Sequence, residues 1–234
     1  MQVAILAGGL ATRLRPLTAT VPKSMVMVHG KPFLEYQLEF LKKDGIRDII
    51  LCVGHLKERI ESYFGDGSRF GVTIQYSKEE GPLLGTAGAL RNALNLLDDP
   101  FFVMYGDSYL FLDFNEIWRF FHKFKKSGLM VVYKNENRYD TSNVSINGNY
   151  VQKYSKTEQI PDMVYIDYGV SLLRKKVIES IPTNEHCSLE TLFQSLIEHG
   201  ELLSFPAKQR FYEIGSKEGL KEFERYMKVK FSER

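Results

Sequence analysis

The stretch Leu6-Ala7-Gly8-Gly9-Leu10-Ala11-Thr12-Arg13-Leu14-Arg15-Pro16-Leu17-Thr18, followed by Pro22-Lys23, decides how the chain is read. It grows out of Val3-Ala4-Ile5-Leu6, a short continuous apolar run of the kind that forms a parallel strand buried on both faces. A strand therefore delivers the chain to two adjacent glycines. Glycine lets a backbone approach a phosphate closely and take unusual dihedral angles, so that successive N–H groups can point at oxygen. Arg13 and Lys23 add charge that backbone donors cannot supply. Two familiar phosphate loops fit badly. Lys23-Ser24 has the ending of a Walker loop, but the required glycines before it are missing. The dinucleotide fingerprint G-x-G-x-x-G is absent because Gly8 and Gly9 are adjacent. A plain Gly-rich turn with solvated arginines is the alternative, and the spacing of Arg13 and Pro22-Lys23 speaks against it.

Outward from this loop, helix and strand signals alternate. Pro32 opens a helical pattern through Phe33, Leu34, Leu38 and Leu41 that ends near Gly45. Strands are expected at 49–53, 72–76, 101–105 and 129–133, and helices at 56–64, 86–97 and 113–126. The last of these helices starts with capping-box residues Asp113 and Glu116. This order predicts an α/β fold: a Rossmann-like, mostly parallel sheet with helices on both faces and substrate loops at the carboxyl ends of the strands. The second half changes character. Two short alternating segments flank Asn147-Gly148-Asn149, a hairpin signal, and a long strand covers 164–173. Helices are expected near 175–180, 189–199 and 217–229. With no Pro/Ser-rich linker and no internal repeat, residues 1–234 read as one domain whose second half is a small β-rich elaboration.

Composition narrows the partners. The 234 residues carry a formal net charge of +2, so no global field argues for nucleic acid. No apolar run approaches the roughly 18 residues that would span a bilayer, so neither a membrane helix nor a signal peptide is expected. Cys52 and Cys187 lie far apart without metal-ligand spacing, which predicts two free thiols in a reducing, cytoplasmic setting. The five histidines show no catalytic pairing. Trp118, Phe120, Phe121 and Phe124 have the spacing of a helix face turned to a core.

The run L-A-G-G-x-x-x-R-L-x-P-L-T, then P-K, resembles the signature of the sugar-1-phosphate nucleotidyltransferases, which have a Rossmann-like fold of the glycosyltransferase-A type. The resemblance covers nearly the whole chain. It recurs at Gly85-Thr86-Ala87-Gly88-Ala89, Gly106-Asp107-Ser108, Lys156, Ile166-Asp167-Tyr168-Gly169 and Tyr212-Glu213-Ile214-Gly215. It is strongest to the short bacterial members, the heptose- and mannose-1-phosphate guanylyltransferases and the N-acetylmuramate-1-phosphate uridylyltransferases.

What the resemblance implies can be set out residue by residue. A nucleoside triphosphate and a sugar 1-phosphate would be the substrates, Mg²⁺ the cofactor, and a nucleotide sugar and pyrophosphate the products. Residues 1–133 would be the nucleotide-binding half and 134–234 the sugar-phosphate-binding half. Leu6, Ala7, Gly8 and Gly9 would cradle the nucleotide, Lys23 would contact its phosphates and Arg13 would grip the leaving pyrophosphate. Asp107 stands at the carboxyl end of an apolar strand after a glycine, well placed to hold Mg²⁺. An Asp that merely caps a turn is the alternative there. Glu213 would be the second metal ligand, or a surface carboxylate before a helix capped by Ser216; many relatives have Asp in a W-x-D-x-G-T motif where this chain has Phe211-Tyr212-Glu213-Ile214-Gly215-Ser216. Gly85 and Thr86 would pass under the base, or Thr86 would simply cap its helix. Lys156, preceded here by Ser155 where relatives often have Glu, would meet the sugar phosphate, or would be a solvated lysine at a strand end. Asp167, Tyr168 and Gly169 match the sugar pocket, where a ring could pack on the tyrosine, or Tyr168 could belong to the core. GTP with a heptose-type sugar 1-phosphate is the preferred pair, with base choice expected near residues 79–88. Uridylyl or cytidylyl transfer and a non-catalytic nucleotide-sugar-binding subunit remain open. A nicotinamide oxidoreductase lacks its glycine fingerprint.

Overall fold

The computed structural model describes residues 1–10 and 12–232. The chain begins with β1 (Gln2–Leu6), then 3-10 turns at Thr12–Leu14, Leu17–Ala19 and Lys23–Met25. A small ribbon, β2 (Met27–Val28) and β3 (Lys31–Pro32), leads to α1 (Phe33–Lys43), β4 (Asp48–Val53), α2 (Lys57–Phe64) and β5 (Thr73–Lys78). Next come α3 (Gly85–Asn92), β6 (Phe101–Tyr105), β7 (Ser108–Tyr109), α4 (Phe114–Phe121) and β8 (Gly128–Lys134). The remainder is β9 (Val144–Asn147), β10 (Tyr150–Tyr154), β11 (Tyr165–Leu173), α5 (Lys175–Glu179), α6 (Leu189–Glu198), β12 (Leu202–Ala207), β13 (Tyr212–Glu213) and α7 (Lys217–Ser232).

Nine strands form one sheet in the order β5-β4-β1-β6-β11-β8-β12-β10-β9. The first four are parallel, and β1, β4 and β6 among them are the continuous apolar runs of the sequence. The rest departs from the expected mostly parallel sheet. β11 runs antiparallel to both β6 and β8, β12 runs parallel to β8, and β10 runs antiparallel to β12. β9 pairs with β10 and also with β11 through Val144 and Tyr165, so β11-β8-β12-β10-β9 close into a small ring. A register shift in β11 between Asp167 and Ser171 lies on this closure, and bulges of that kind bend a strand and increase its twist.

Alternate residues of the central strands feed two cores. Val3 and Ile5 of β1 pack with Leu38 of α1, Ile60 of α2 and Ile117 of α4, whereas Ala4 packs with Leu90 of α3, Ile178 of α5 and Phe193 of α6. Helices thus cover both faces, and each fully buried Leu, Ile or Phe contributes about 1.5–3 kcal/mol. Phe121 is part of the first core, with Trp118, Phe120 and Phe124 partly buried against it, as their spacing indicates. α7 makes a third cluster, where Phe223 meets Phe33 and Tyr36 of α1 and Tyr109 of β7.

The caps explain element ends. Asp113 Oδ1 accepts from the N–H groups of Asn115 and Glu116 at 2.9 and 3.1 Å and starts α4. α4 stops at Phe121, short of the expected Lys126, because Lys123 and Phe124 bond back only three residues and tighten the end. The hairpin forms as read, with Asn147 opposite Tyr150. β12 escapes a sequence reading because Pro206 argues against a strand. It is tolerated because the pairing with β10 reaches only Leu203.

Candidate active site

β1 and β6 are parallel neighbours with Leu6 beside Tyr105, so the glycine turn and Gly106-Asp107 leave the sheet along the same edge. A cleft opens there. It is lined by Leu6, Ala7, Gly8 and Gly9, by Lys23 and Ser24, by Glu79, Leu83, Gly85 and Thr86, and by Tyr105, Gly106 and Asp107. The turn, the lysine, the aspartate and the segment at 85–86 are therefore brought to one place.

Glycine is needed at 8 for space. A Cβ there would lie 2.9 Å from Glu79 Oε2 and 3.0 Å from the Gly54 nitrogen, while Gly9 has open space around it. Neither has a left-handed φ, so the unusual dihedral angles expected of this turn are not what selects glycine. Gly85 is different. Its φ is +77°, and a Cβ would fall 2.6 Å from the Cys187 carbonyl oxygen. Thr86 does not cap its own helix. Its Oγ1 accepts from Leu189 N–H at 2.7 Å and so serves the start of α6 instead.

Lys23 forms an ion pair with Asp107 in which Nζ donates to Oδ2. Glu213 reaches the same spot through a separate two-stranded sheet. β13 pairs antiparallel with β7, placing Glu213 opposite Ser108, and Ile214 N–H donates to the Asp107 carbonyl at 2.9 Å. Glu213 Oε1 accepts from Ser216 Oγ at 2.9 Å, and Oε2 accepts from Gly215 N–H. Burial raises the Glu213 pKa and the Asp107 carboxylate adds to the rise, against the bonds from Ser216 and Gly215 and the charge of Lys23. Two carboxylates against one ammonium leave a local negative charge, which suits a divalent cation. Among the described residues no group of three or more His, Cys, Asp or Glu could hold a metal. Mg²⁺ needs no such cage, because it typically takes one or two carboxylates together with substrate phosphates and water. The donor set Asp107 and Glu213 fits it.

Other expected residues fall outside the cleft lining. Arg13 is exposed in its 3-10 turn. Lys156 is exposed beyond β10, with Nζ 5.6 Å from the ring centroid of Tyr105. Asp167 Oδ1 accepts from Gly169 N–H at 2.9 Å and Oδ2 from Tyr154 Oη at 3.2 Å. Burial raises the Asp167 pKa, while Gly169 N–H and Lys156 oppose the rise. Lys156 and Asp167 thus gather around Tyr105, which also lines the cleft. Tyr168 corrects the sequence reading. Its ring is fully buried and its Oη accepts from Phe111 N–H at 3.3 Å, so no sugar can pack on it. Gly169 has φ +85°, and a Cβ there would stand 3.0 Å from Ser108 Oγ, so this glycine lets β11 pass close to β7.

Glu79 and Ser24 also line the cleft, Glu79 at the start of the segment 79–88 where base choice is expected. Glu79 is 8% exposed, and its Oε1 accepts from Leu84 N–H at 2.7 Å. Burial raises its pKa, and the Leu84 N–H and His186 oppose that. In the sequence it hides in the charged run Lys78-Glu79-Glu80, where only its place just after a strand separates it from solvated neighbours. Ser24 is buried, and its hydroxyl has no hydrogen-bond partner.

The parallel sheet, the glycine turn at its carboxyl edge and the paired acidic groups define a nucleotide-handling α/β enzyme. Residues 2–227 match the nucleotidyl transferase family, and the chain belongs to it. It is 34% identical over 200 residues to the D-glycero-α-D-manno-heptose 1-phosphate guanylyltransferase of Campylobacter jejuni, covering 83% of this chain and 85% of that protein. It is also 34% identical to the UTP–glucose-1-phosphate uridylyltransferase of Synechocystis, over 86% of this chain but only 56% of that longer protein. Among solved structures, HddC from Yersinia pseudotuberculosis complexed with GMP-PN superposes with a TM-score of 0.81 at 28% identity, over 97% of this chain and 99% of that one. No helix among the described residues is long and apolar enough to cross a membrane.

Proposed function

We propose that the chain transfers a guanylyl group from GTP to a heptose-type sugar 1-phosphate, releasing pyrophosphate. A phosphate oxygen of the sugar 1-phosphate would attack the α-phosphorus, and the bond from that phosphorus to the β-phosphate bridge would break. Both reactants are polyanions, and two unit charges at ~4 Å repel by roughly 4 kcal/mol at an effective dielectric near 20. Positioned cations and backbone donors must therefore supply most of the catalysis. The sugar phosphate is already ionised at neutral pH, so no enzyme nucleophile is needed.

Lys23 and the glycine turn would take the triphosphate, and Arg13 the departing pyrophosphate. Mg²⁺, held by Asp107 and Glu213, would supply charge neutralisation at the α-phosphate. Lys156 would meet the phosphate of the sugar 1-phosphate and Asp167 would belong to the sugar pocket, which makes residues 1–133 the nucleotide half and 134–234 the sugar-phosphate half.

The observation that carries the choice of base is a buried carboxylate, Glu79, in the same cleft as Lys23 and Asp107. Guanine presents adjacent N–H donors along one edge, from its ring and its amino group. Uracil offers one N–H between two carbonyl acceptors there, and cytosine one amino donor beside two acceptors. An ionised carboxylate only accepts, so it matches guanine. The similarity to a heptose 1-phosphate guanylyltransferase supports the same pair of substrates. Pyrophosphate release measured with each NTP and a panel of sugar 1-phosphates, in Mg²⁺, tests the proposal. Turnover with GTP and D-glycero-α-D-manno-heptose 1-phosphate is expected, and preferential use of UTP would refute the base assignment.

A further inference from the structure

The residue before Lys156 is Ser155, and it is turned inward. It is buried, and its Oγ accepts from the N–H groups of Thr157 and Glu158 at 3.3 and 3.0 Å. That bond pattern folds the segment after β10 into a tight local turn but leaves the Lys156 N–H to be satisfied elsewhere. It donates to Glu190 Oε1 at 2.8 Å. Glu190 lies in the first turn of α6, far along the chain, and is half-buried.

The start of α6 is itself fixed to the nucleotide side of the cleft. Leu189 N–H donates to Thr86 Oγ1 at 2.7 Å, and the Cys187 carbonyl accepts from Ala87 and Gly88 N–H at 2.9 and 3.1 Å. Ser188 completes the cap by accepting from Thr191 N–H at 3.1 Å. A continuous set of bonds therefore runs from the cleft wall at Thr86, through the first residues of α6, to the backbone of Lys156. Lys156 has a long, exposed side chain, so where its ammonium can reach depends on where its backbone is held.

We infer that Glu190 is a positioning residue that fixes the backbone of Lys156 for capture of the sugar phosphate, anchoring it to the helix that Thr86 ties to the nucleotide side. This rests on the reading of Lys156 given above. A hydrogen bond to a charged acceptor is worth about a tenfold change in an equilibrium when lost.

The test is steady-state kinetics with GTP and D-glycero-α-D-manno-heptose 1-phosphate in Mg²⁺, alongside amide hydrogen exchange at Lys156, which needs no substrate. Glu190→Ala should raise KM for the heptose phosphate roughly tenfold, leave KM for GTP within about twofold, and speed exchange of the Lys156 amide. Glu190→Gln should restore both readouts, because its amide oxygen still accepts. Equal rises in both KM values, unchanged exchange at Lys156, or a Gln variant that behaves like Ala would overturn the inference. Lys156→Ala separates the two levels. If it raises KM for the heptose phosphate while Glu190→Ala does not, the positioning role fails alone. If it leaves KM unchanged, the reading of Lys156 fails and the inference with it.

Discussion

The four parallel strands β5-β4-β1-β6 and the closed ring β11-β8-β12-β10-β9 belong to one sheet, yet they meet the site differently. The parallel region delivers its groups directly from strand ends. Gly8 and Gly9 follow β1, Glu79 follows β5 and Asp107 follows β6 within a few residues. The ring region delivers its groups indirectly. Lys156 is held through α6, Asp167 sits in a bulge, and Glu213 arrives on a two-residue strand outside the main sheet. Parallel strands share one carboxyl edge, so they fix position by default. A closed ring of mixed strands has no common carboxyl edge, and its contributions need added bonds.

The largest effect expected from this contrast is at Lys23. Lys23→Ala should lower kcat by roughly 10²–10³, the scale for losing one positioned electrostatic contact. Turnover unchanged in a steady-state assay would break the assignment of the parallel edge to the phosphates. Asp107→Asn should come next, with activity reduced about 10²-fold, a higher Mg²⁺ requirement and a retained melting transition. Loss of folding instead would make Asp107 structural.

Glu79→Gln sharpens the comparison because it separates function from stability. KM for GTP should rise roughly tenfold or more as a charged acceptor is lost. The folded protein should at the same time melt higher at neutral pH. Burial raises the folded-state pKa of Glu79, so the native chain binds that proton more tightly than the unfolded chain. The stability tied to that proton is present below the unfolded value and is lost as pH rises through the folded value. At neutral pH the ionised side chain is therefore a burden that Gln removes. Scanning calorimetry across pH should find the gain shrinking toward acid pH, and a lower melting point at neutral pH would contradict the argument. The smallest effect is expected in the ring. Tyr168→Phe should leave both KM values alone and cost about 1 kcal/mol of stability, the loss of one hydrogen bond in the core. A marked rise in KM for the sugar phosphate would return Tyr168 to the sugar pocket.

The same contrast explains how far residues alone carry the reading. Val3 to Leu6, Ile49 to Val53 and Phe101 to Tyr105 announce their strands because burial on both faces leaves an unbroken apolar run. The cleft residues that follow those strands are found by position as much as by type. β12 contains Pro206 and β13 has only two residues, so neither carries a periodic signal. Tyr168 illustrates a limit of a different kind. Alternation puts a side chain on one face of a strand, but the bulge at Gly169 resets that alternation, and nothing in the neighbouring residues shows which face results. Glu190 is distinguishable from a solvated carboxylate only once its distant partner, the Lys156 N–H, is in place.

The pairing of β7 with β13 brings Asp107 and Glu213 together across nearly half the length of the chain. Synthesis proceeds from the first residue, so the glycine turn and Asp107 emerge long before the second carboxylate. A nascent chain can have its four parallel strands assembled while half of the acidic pair is still unmade. The order of translation thus separates the arrival of Asp107 from that of Glu213, the carboxylate proposed to share Mg²⁺ with it.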